Sequence, residues 1–192
     1  PITSKIEAED LRRFDRQDVA DAVNLLPGTS VQNVGGRSER LLFVRGFNSR
    51  QVPLFIDGIP VYVPYDGNVD LGRFTTFDLA EIAVTKSLTS MLYGANTLGG
   101  SVNLVSRRPV AALEASGGVG TTFDDAGDAS QHRAWFNGGT NQGTWYLQAG
   151  GSWLDRDHFL LPDDFDAMPA ETGGRRDNSE AEDRKVNLKL GL

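Results

Sequence analysis

The sequence contains no cysteine, which excludes disulfide bonds, thiol nucleophiles and cysteine-ligated metal centres together. It also lacks any apolar run approaching the roughly 18 residues that a membrane-spanning helix needs. Its mean hydropathy is −0.32, a value typical of a water-soluble protein. A membrane-spanning β-strand alternates in polarity and leaves almost no hydropathy signal, so a membrane-embedded sheet stays open as an alternative.

Motifs for catalysis are also missing from the chain. It has no Gly-x-Ser-x-Gly elbow, no phosphate-binding loop and no His-Glu-x-x-His pair. Its two histidines, His132 and His158, have no partners at metal-ligand or triad spacing. We therefore predict that the chain is not an enzyme and that it holds no metal and no cofactor.

Charge is distributed unevenly along the sequence. Residues 1–109 carry 12 basic and 12 acidic side chains, whereas residues 110–192 carry 7 and 14. A basic stripe that could neutralise phosphates is absent, which argues against nucleic acid as a partner. The contrast predicts two domains, 1–109 and 110–192. Because the chain begins at Pro1 without a methionine or a leader, we expect a processed or excised piece of a longer protein.

The stretch from Leu41 to Pro109 reads as short strands separated by glycines. Two β-branched runs, Val52–Ile56 and Ile59–Val63, flank Asp57-Gly58, a pair that tolerates the positive φ angles of a type I′ hairpin turn. Further strands are predicted at Ile82–Val84 and Ser101–Ser106. Ser87 is predicted to cap a short helix that carries Leu88, Met91 and Leu92. The element order predicts a mixed sheet flanked by short helices, with the hairpin at its centre.

The first forty residues predict two short helices and a strand. Glu7–Phe14 reads as a helix with Leu11 and Phe14 as its apolar contacts. Asp18 is suited to cap a helix over Val19–Leu26, which Pro27-Gly28 would end. Thr29–Val34 reads as a strand, and the mixed charges of Arg37–Arg40 indicate a solvated loop.

After Pro109 the pattern changes to glycine-rich or alternating segments about as long as a membrane-spanning β-strand. Four strands are predicted: Leu113–Phe123, Gln131–Asn141, Thr144–Trp153 and Lys185–Leu192. In the last of them, alternation places four aliphatic side chains on one outward face: Val186, Leu188, Leu190 and Leu192. The connections alternate between a medium loop, a tight turn at Gln142-Gly143 and a long acidic loop over Leu154–Arg184. The long loop reads as solvated rather than as a calcium site, because the spacing of a calcium loop is missing.

Three segments occur in a fixed order: VRGF at 44–47, FIDGIPVY at 55–62 and LAEIAVTKSLTSMLYGANTLGGSVNLVSRRP at 79–109. This ordered set resembles the plug domain of TonB-dependent outer-membrane receptors. The resemblance implies an α+β plug domain followed by the first antiparallel strands of a transmembrane β-barrel of about 22 strands. The sequence departs from the family pattern at Lys86-Ser87-Leu88, where a base followed by Gly-Pro is usual.

Function follows from the same resemblance as an expectation. A receptor of this family resides in the outer membrane of a Gram-negative bacterium, with its plug inside the barrel. It imports a ligand, most often a ferric siderophore, with energy supplied by its partner TonB. A free-standing water-soluble binding module that reuses the plug fold is the alternative, and the strand-like second half disfavours it.

The resemblance also assigns two sets of site residues. Polar loops that follow the Arg-Gly-Phe strand and the Asp-Gly hairpin face the ligand in the family, and residue types that suit a polar small molecule occupy them here. The predicted ligand-binding residues are Arg50, Gln51, Tyr62, Tyr65, Asp66 and Asn68, and the alternative is that they are only solvated loop residues. The predicted lock between plug and barrel consists of Arg45 and Lys86, which resemble a pair that faces acids on later barrel strands. In this chain we expect both lock side chains to be exposed or paired locally, for example with Glu81.

Overall fold

The computed structural model describes residues 3–34, 39–61, 63, 67–87, 97–125, 127–158, 160–169 and 171–192. The chain divides into two compact units, residues 1–107 and residues 108–192. In the ranges just given, no helix is both long enough and apolar enough to cross a membrane.

The first unit consists of short strands and helices. In chain order these are β1 (Thr3–Glu7), α1 (Ala8–Arg13), α2 (Val19–Val23), β2 (Thr29–Val34), β3 (Glu39–Val44), β4 (Leu54–Ile56), β5 (Ile59–Val61), β6 (Leu79–Thr85) and β7 (Ser101–Ser106). Two 3-10 helices lie at Ser49–Gln51 and Leu71–Arg73. The predicted helix at Leu88–Leu92 lies outside the described residues.

A five-stranded mixed sheet in the order β1-β6-β7-β4-β5 forms the centre of the first unit. The pairing of β4 with β7 is parallel, and the other pairings in this sheet are antiparallel. Strands β2 and β3 form a separate antiparallel pair. Ile82, Val84, Val102 and Leu104 alternate into a buried core beneath the two central strands. The mixed sheet with short helices is therefore confirmed.

The Asp57-Gly58 turn joins β4 to β5, as predicted. Both residues have positive φ angles, 50° and 79°, which is the type I′ combination. The carboxylate of Asp57 accepts hydrogen bonds from the backbone N–H (2.9 Å) and the hydroxyl (2.6 Å) of Ser106. The expected central position of the hairpin is wrong, because β5 is an edge strand. Pro60 in β5 has no N–H to donate to a further strand, and this explains its place at the edge.

The predicted cap of α2 is confirmed, but its predicted length is not. Asp18 caps α2 by accepting the backbone N–H of Asp21 at 2.8 Å, and the helix ends at Val23 rather than at Leu26. Leu11 on α1 is buried, but the expected burial of Phe14 is wrong. Phe14 follows the end of α1 and is exposed beside the guanidinium of Arg13, 5.7 Å from its ring centre.

The predicted solvated loop over Arg37–Arg40 is wrong for its last two residues. Glu39 and Arg40 begin β3, while Gly35–Ser38 lie outside the described residues. Arg40 opposes Asn33 of β2 in the ladder, and its side chain bonds to two carboxylates that lie about twenty residues earlier in the chain. Partners this far apart in sequence cannot be predicted from the charge pattern of the segment alone.

The second unit is an open antiparallel sheet of four strands in the order β11-β10-β9-β8. The strands are β8 (Glu114–Phe123), β9 (Ala129–Asn141), β10 (Tyr146–Arg156) and β11 (Ala181–Gly191). All four predicted strands are confirmed with shifted ends. Val186, Leu188 and Leu190 share one face of β11 and are 87%, 74% and 67% exposed. Cross-strand register places Gly151, Ala149 and Leu147 of β10 on that same face.

Candidate functional site

The 3-10 helix at Ser49–Gln51 presents two of the predicted ligand-binding residues. Asn48 caps it, because its side-chain oxygen accepts the backbone N–H of Arg50 at 3.1 Å. Gly99 then donates its N–H to the carbonyl of Gln51 at 3.0 Å and ties the turn to the start of β7. Arg50 is left exposed and Gln51 half-buried. A single stiff turn therefore holds both side chains.

The loop that follows β5 returns to this turn. Gly67 donates its N–H to the carbonyl of Val63 at 3.1 Å. A Cβ on Gly67 would lie 3.7 Å from Cγ of Arg50, so the loop backbone passes beside the Arg50 side chain. The hydroxyl of Ser49 and the side-chain oxygen of Asn68 are 2.9 Å apart. These contacts bring the loop and the turn into one surface.

Three of the six predicted ligand-binding residues, Arg50, Gln51 and Asn68, therefore lie together. Tyr62, Tyr65 and Asp66 lie outside the described residues. The three described side chains offer one exposed guanidinium and two amides, a combination suited to an anionic ligand with several oxygen atoms. Their grouping could be predicted because each belongs to a polar interruption next to an apolar strand.

The first unit also contains an ionic cluster that the sequence analysis did not predict. The guanidinium of Arg40 donates to Asp18 at 2.6 Å and also to Asp21. Burial lowers the pKa of Arg40, but the attraction of Asp18 and the hydrogen bond to Asp21 outweigh it and raise that pKa above its ordinary value. The cluster fixes β3 to the first turn of α2.

The backbone of Arg40 connects this cluster to the loop. Its N–H donates to Oδ1 of Asp70 at 3.0 Å, and the same oxygen accepts the N–H of Gly72 at 3.0 Å. The sequence predicted Asp18 only as a helix cap and predicted no role for Asp70. Their bonds to Arg40 could not be predicted, because Arg40 is distant from both in sequence.

The two predicted lock residues, Arg45 and Lys86, lie together. Nη1 of Arg45 donates to the carbonyl of Lys86 at 2.9 Å, and Nζ of Lys86 donates to the carbonyl of Pro27 at 2.6 Å. Each side chain is expected to be exposed or paired locally: Arg45 is exposed, whereas Lys86 is only 4% exposed and is bonded to the carbonyl of Pro27. The suggestion of Glu81 as the local partner is wrong, since it pairs with Lys5 at 2.8 Å. Glu81 lies five residues before Lys86 on an extended strand, roughly 16 Å away.

Burial, and to a smaller extent the positive charge of Arg45, lowers the pKa of Lys86 below its ordinary value. The acceptor at Pro27 is a neutral carbonyl, which satisfies a hydrogen bond without neutralising the ammonium charge. A carboxylate brought to this position would stabilise the pair.

Comparison with protein families gives a match over residues 1–101 to the model described as the TonB-dependent receptor plug domain. The matched range contains the hairpin, both 3-10 helices, the ionic cluster and the lock residues. It covers more than half of the 192 residues.

Solved structures resemble the chain over nearly its whole length. The siderophore receptor PirA from Acinetobacter baumannii matches 98% of the chain with a TM-score of 0.77 and 18% identity. A mutant of the ferric enterobactin receptor PfeA from Pseudomonas aeruginosa, in complex with enterobactin, matches 99% with a TM-score of 0.73 and 17% identity. The ferric yersiniabactin uptake receptor FyuA from Yersinia pestis matches 98% with a TM-score of 0.67 and 19% identity. The chain spans only 29%, 30% and 28% of these three proteins.

Proposed function

Because the chain belongs to the family of TonB-dependent receptor plug domains, we propose that it works within an outer-membrane receptor that imports a ferric siderophore. In this proposal the first unit is the plug, and the second supplies the first strands of the barrel. The observation that carries it is the combination of a plug-like mixed sheet with an antiparallel sheet of long strands in one chain.

The second unit supports a place in a membrane. Its strands of 10 to 13 residues are long enough to cross the hydrocarbon layer of a bilayer. At one end of the apolar face, the indole N–H of Trp153 donates to Glu182 at 2.9 Å. An indole with one apolar side and one hydrogen-bonded edge suits the boundary between lipid and water.

The alternative, a water-soluble binding module, is disfavoured by the same face. Val186, Leu188 and Leu190 would each expose most of their side chain to water on a single strand. Transferring one such side chain out of water is worth roughly 1.5–3 kcal/mol. A contiguous apolar row of this kind is typical of a lipid or protein contact.

In the proposed mechanism the plug performs no covalent chemistry and acts as a gate. A ferric siderophore, as an anionic chelate, binds to Arg50, Gln51 and Asn68, together with the predicted residues Tyr62, Tyr65 and Asp66. The turn at Ser49–Gln51 and the bond between Ser49 and Asn68 hold Arg50, Gln51 and Asn68 in place before the ligand arrives, which reduces the entropy lost on binding. Movement of the plug, driven by TonB, then opens a path for the ligand.

We assign the proposed lock to Arg45 and Lys86. Their charges lie within one cluster, and the hydrogen-bond acceptors observed there are backbone carbonyls. Carboxylates on later barrel strands would complete the pair and hold the plug closed. When the plug moves to open the path, Arg45 and Lys86 would separate from those carboxylates.

The ligand site is tested by replacing Arg50 and Tyr65 together with alanine in the receptor. Each hydrogen bond to a charged group contributes roughly 1.5–3 kcal/mol, so the dissociation constant of ferric enterobactin, used as the probe, should rise at least about tenfold. Isothermal titration of the purified receptor measures this change. Arg12→Ala, which removes an exposed guanidinium from α1, serves as the control. A dissociation constant that stays within about twofold of wild type would place the site elsewhere.

A further inference from the structure

The loop that carries the proposed ligand residues ends at Asp70, where the chain enters the 3-10 helix Leu71–Arg73. One carboxylate oxygen of Asp70 accepts two backbone N–H groups, from Arg40 and from Gly72, each at 3.0 Å. The bond to Gly72 caps the helix. The bond to Arg40 crosses thirty residues of sequence and ties the end of the loop to β3. We call this pair of bonds the Asp70 clamp.

The clamp attaches to Arg40, which several other contacts hold in place. Arg40 pairs with Asn33 in the β2–β3 ladder, and its guanidinium bonds to both Asp18 and Asp21 on α2. A Cβ on Gly72 would lie only 2.8 Å from Cδ of Arg40. The glycine therefore allows the 3-10 helix to pack directly on the arginine stem, close enough for the clamp to form.

Other contacts of the described loop residues differ from the clamp in what they join. Gly67 is bonded to Val63, and Asn68 is bonded to Ser49 beside Arg50. The bond to Ser49 joins the loop to the proposed site, and Val69 also anchors the loop through its burial in the core of the first unit. The Asp70 clamp instead joins the loop to β3, and through Arg40 to α2. Together with the buried Val69, it positions Asn68, and with it the contact beside Arg50, relative to β3 and α2.

The geometry points to Asp70 as a positioning residue for ligand recognition, which acts on Arg50 and Asn68 without itself contacting the ligand. This inference rests on the proposed function of the loop. It assigns the effect to the accepting oxygen of Asp70 rather than to its charge. Asparagine keeps an oxygen in the same place and can accept both N–H groups, whereas alanine cannot.

Two variants of the receptor separate these roles, Asp70→Ala and Asp70→Asn. Ferric enterobactin is the binding probe, and hydrogen exchange of the unliganded receptor is the second readout. Asp70→Ala should raise the dissociation constant at least about fivefold, because a displaced loop loses hydrogen bonds to the ligand. It should also speed exchange at the amides of Arg40 and Gly72 and across residues 67–70. Asp70→Asn should stay within about twofold of wild type in both readouts. The control is Glu9→Ala, which removes an exposed carboxylate from α1.

The outcomes distinguish this inference from the proposed function. If the Arg50→Ala/Tyr65→Ala receptor loses affinity while Asp70→Ala does not, the positioning role is wrong and the ligand site stands. If neither variant changes affinity, the ligand site is wrong and the positioning role fails with it. If the wild-type receptor does not bind ferric enterobactin, hydrogen exchange of the unliganded Asp70→Ala receptor tests the positioning role. Faster exchange confined to the clamp and the loop supports the role, and unchanged exchange or exchange raised equally throughout β1 and β6 overturns it.

Discussion

Replacement of Arg40 with methionine should destabilise the first unit by about 2–3 kcal/mol, less than the cost of breaking a fully buried ion pair because the side chains of Arg40 and Asp21 are 25% and 42% exposed. Asp18 is only 8% exposed, and it would keep its negative charge without the guanidinium that now lies 2.6 Å away. Asp21 loses the same partner. The aliphatic stem of methionine still packs on Gly72, so the loss is chiefly electrostatic. Hydrogen exchange of α2 and β3 in the purified receptor measures the effect.

Arg12→Met is the matched control, because it removes an exposed arginine from α1 and should change stability by less than about 0.5 kcal/mol. Arg40→Lys should recover part of the loss, since an ammonium keeps the charge but cannot reach two carboxylates in the fork geometry of a guanidinium. Equal protection of α2 in the Arg40→Met and Arg12→Met receptors would contradict the structural role of the cluster.

A second large effect is expected for Gly100→Ala. Gly100 has a φ angle of +126°, and a Cβ there would lie 1.8 Å from the carbonyl oxygen of Thr85. Thr85 is paired with Ser101 at the joined ends of β6 and β7, so the backbone can relieve the clash only by giving up that pairing. We expect a loss of at least about 3 kcal/mol, the sum of backbone strain and broken pairing.

Gly58→Ala provides the comparison, because Gly58 also has a positive φ angle, +79°, but nothing lies within 4 Å of its Cβ position. Its cost should be only the conformational penalty of a left-handed residue, about 1–2 kcal/mol. The two variants are compared by hydrogen exchange of β6 and β7 in the receptor. Equal losses would show that the contact with Thr85 contributes nothing.

The parts of the fold that could be predicted are those encoded locally. Asp57-Gly58 specifies its turn through the φ angles that the two residues tolerate, and Asp18 specifies a helix start through its own side chain. The strand Ser101–Ser106 could be delimited because Gly99-Gly100 precede it and Arg107-Arg108-Pro109 follow it. In β11, simple alternation identified the exposed face.

Long-range pairings could not be predicted in the same way. The parallel pairing of β4 with β7 joins residues about fifty positions apart, and no local pattern encodes it. The candidate site also combines features that could be predicted with features that could not. Arg50, Gln51 and Asn68 were identifiable as loop residues, whereas the bonds of Arg40, Asp70 and Lys86 depend on chain segments brought together only by folding.

The most direct test of the central proposal is uptake of radioactive iron supplied as ferric enterobactin. Uptake is measured in cells that carry the receptor as their sole route for the chelate, with TonB present and with TonB deleted. A TonB-dependent gate predicts accumulation that requires both proteins and that falls when Arg50 and Tyr65 are replaced with alanine. Accumulation that persists without TonB, or that is unaffected by loss of the receptor, would contradict the proposal.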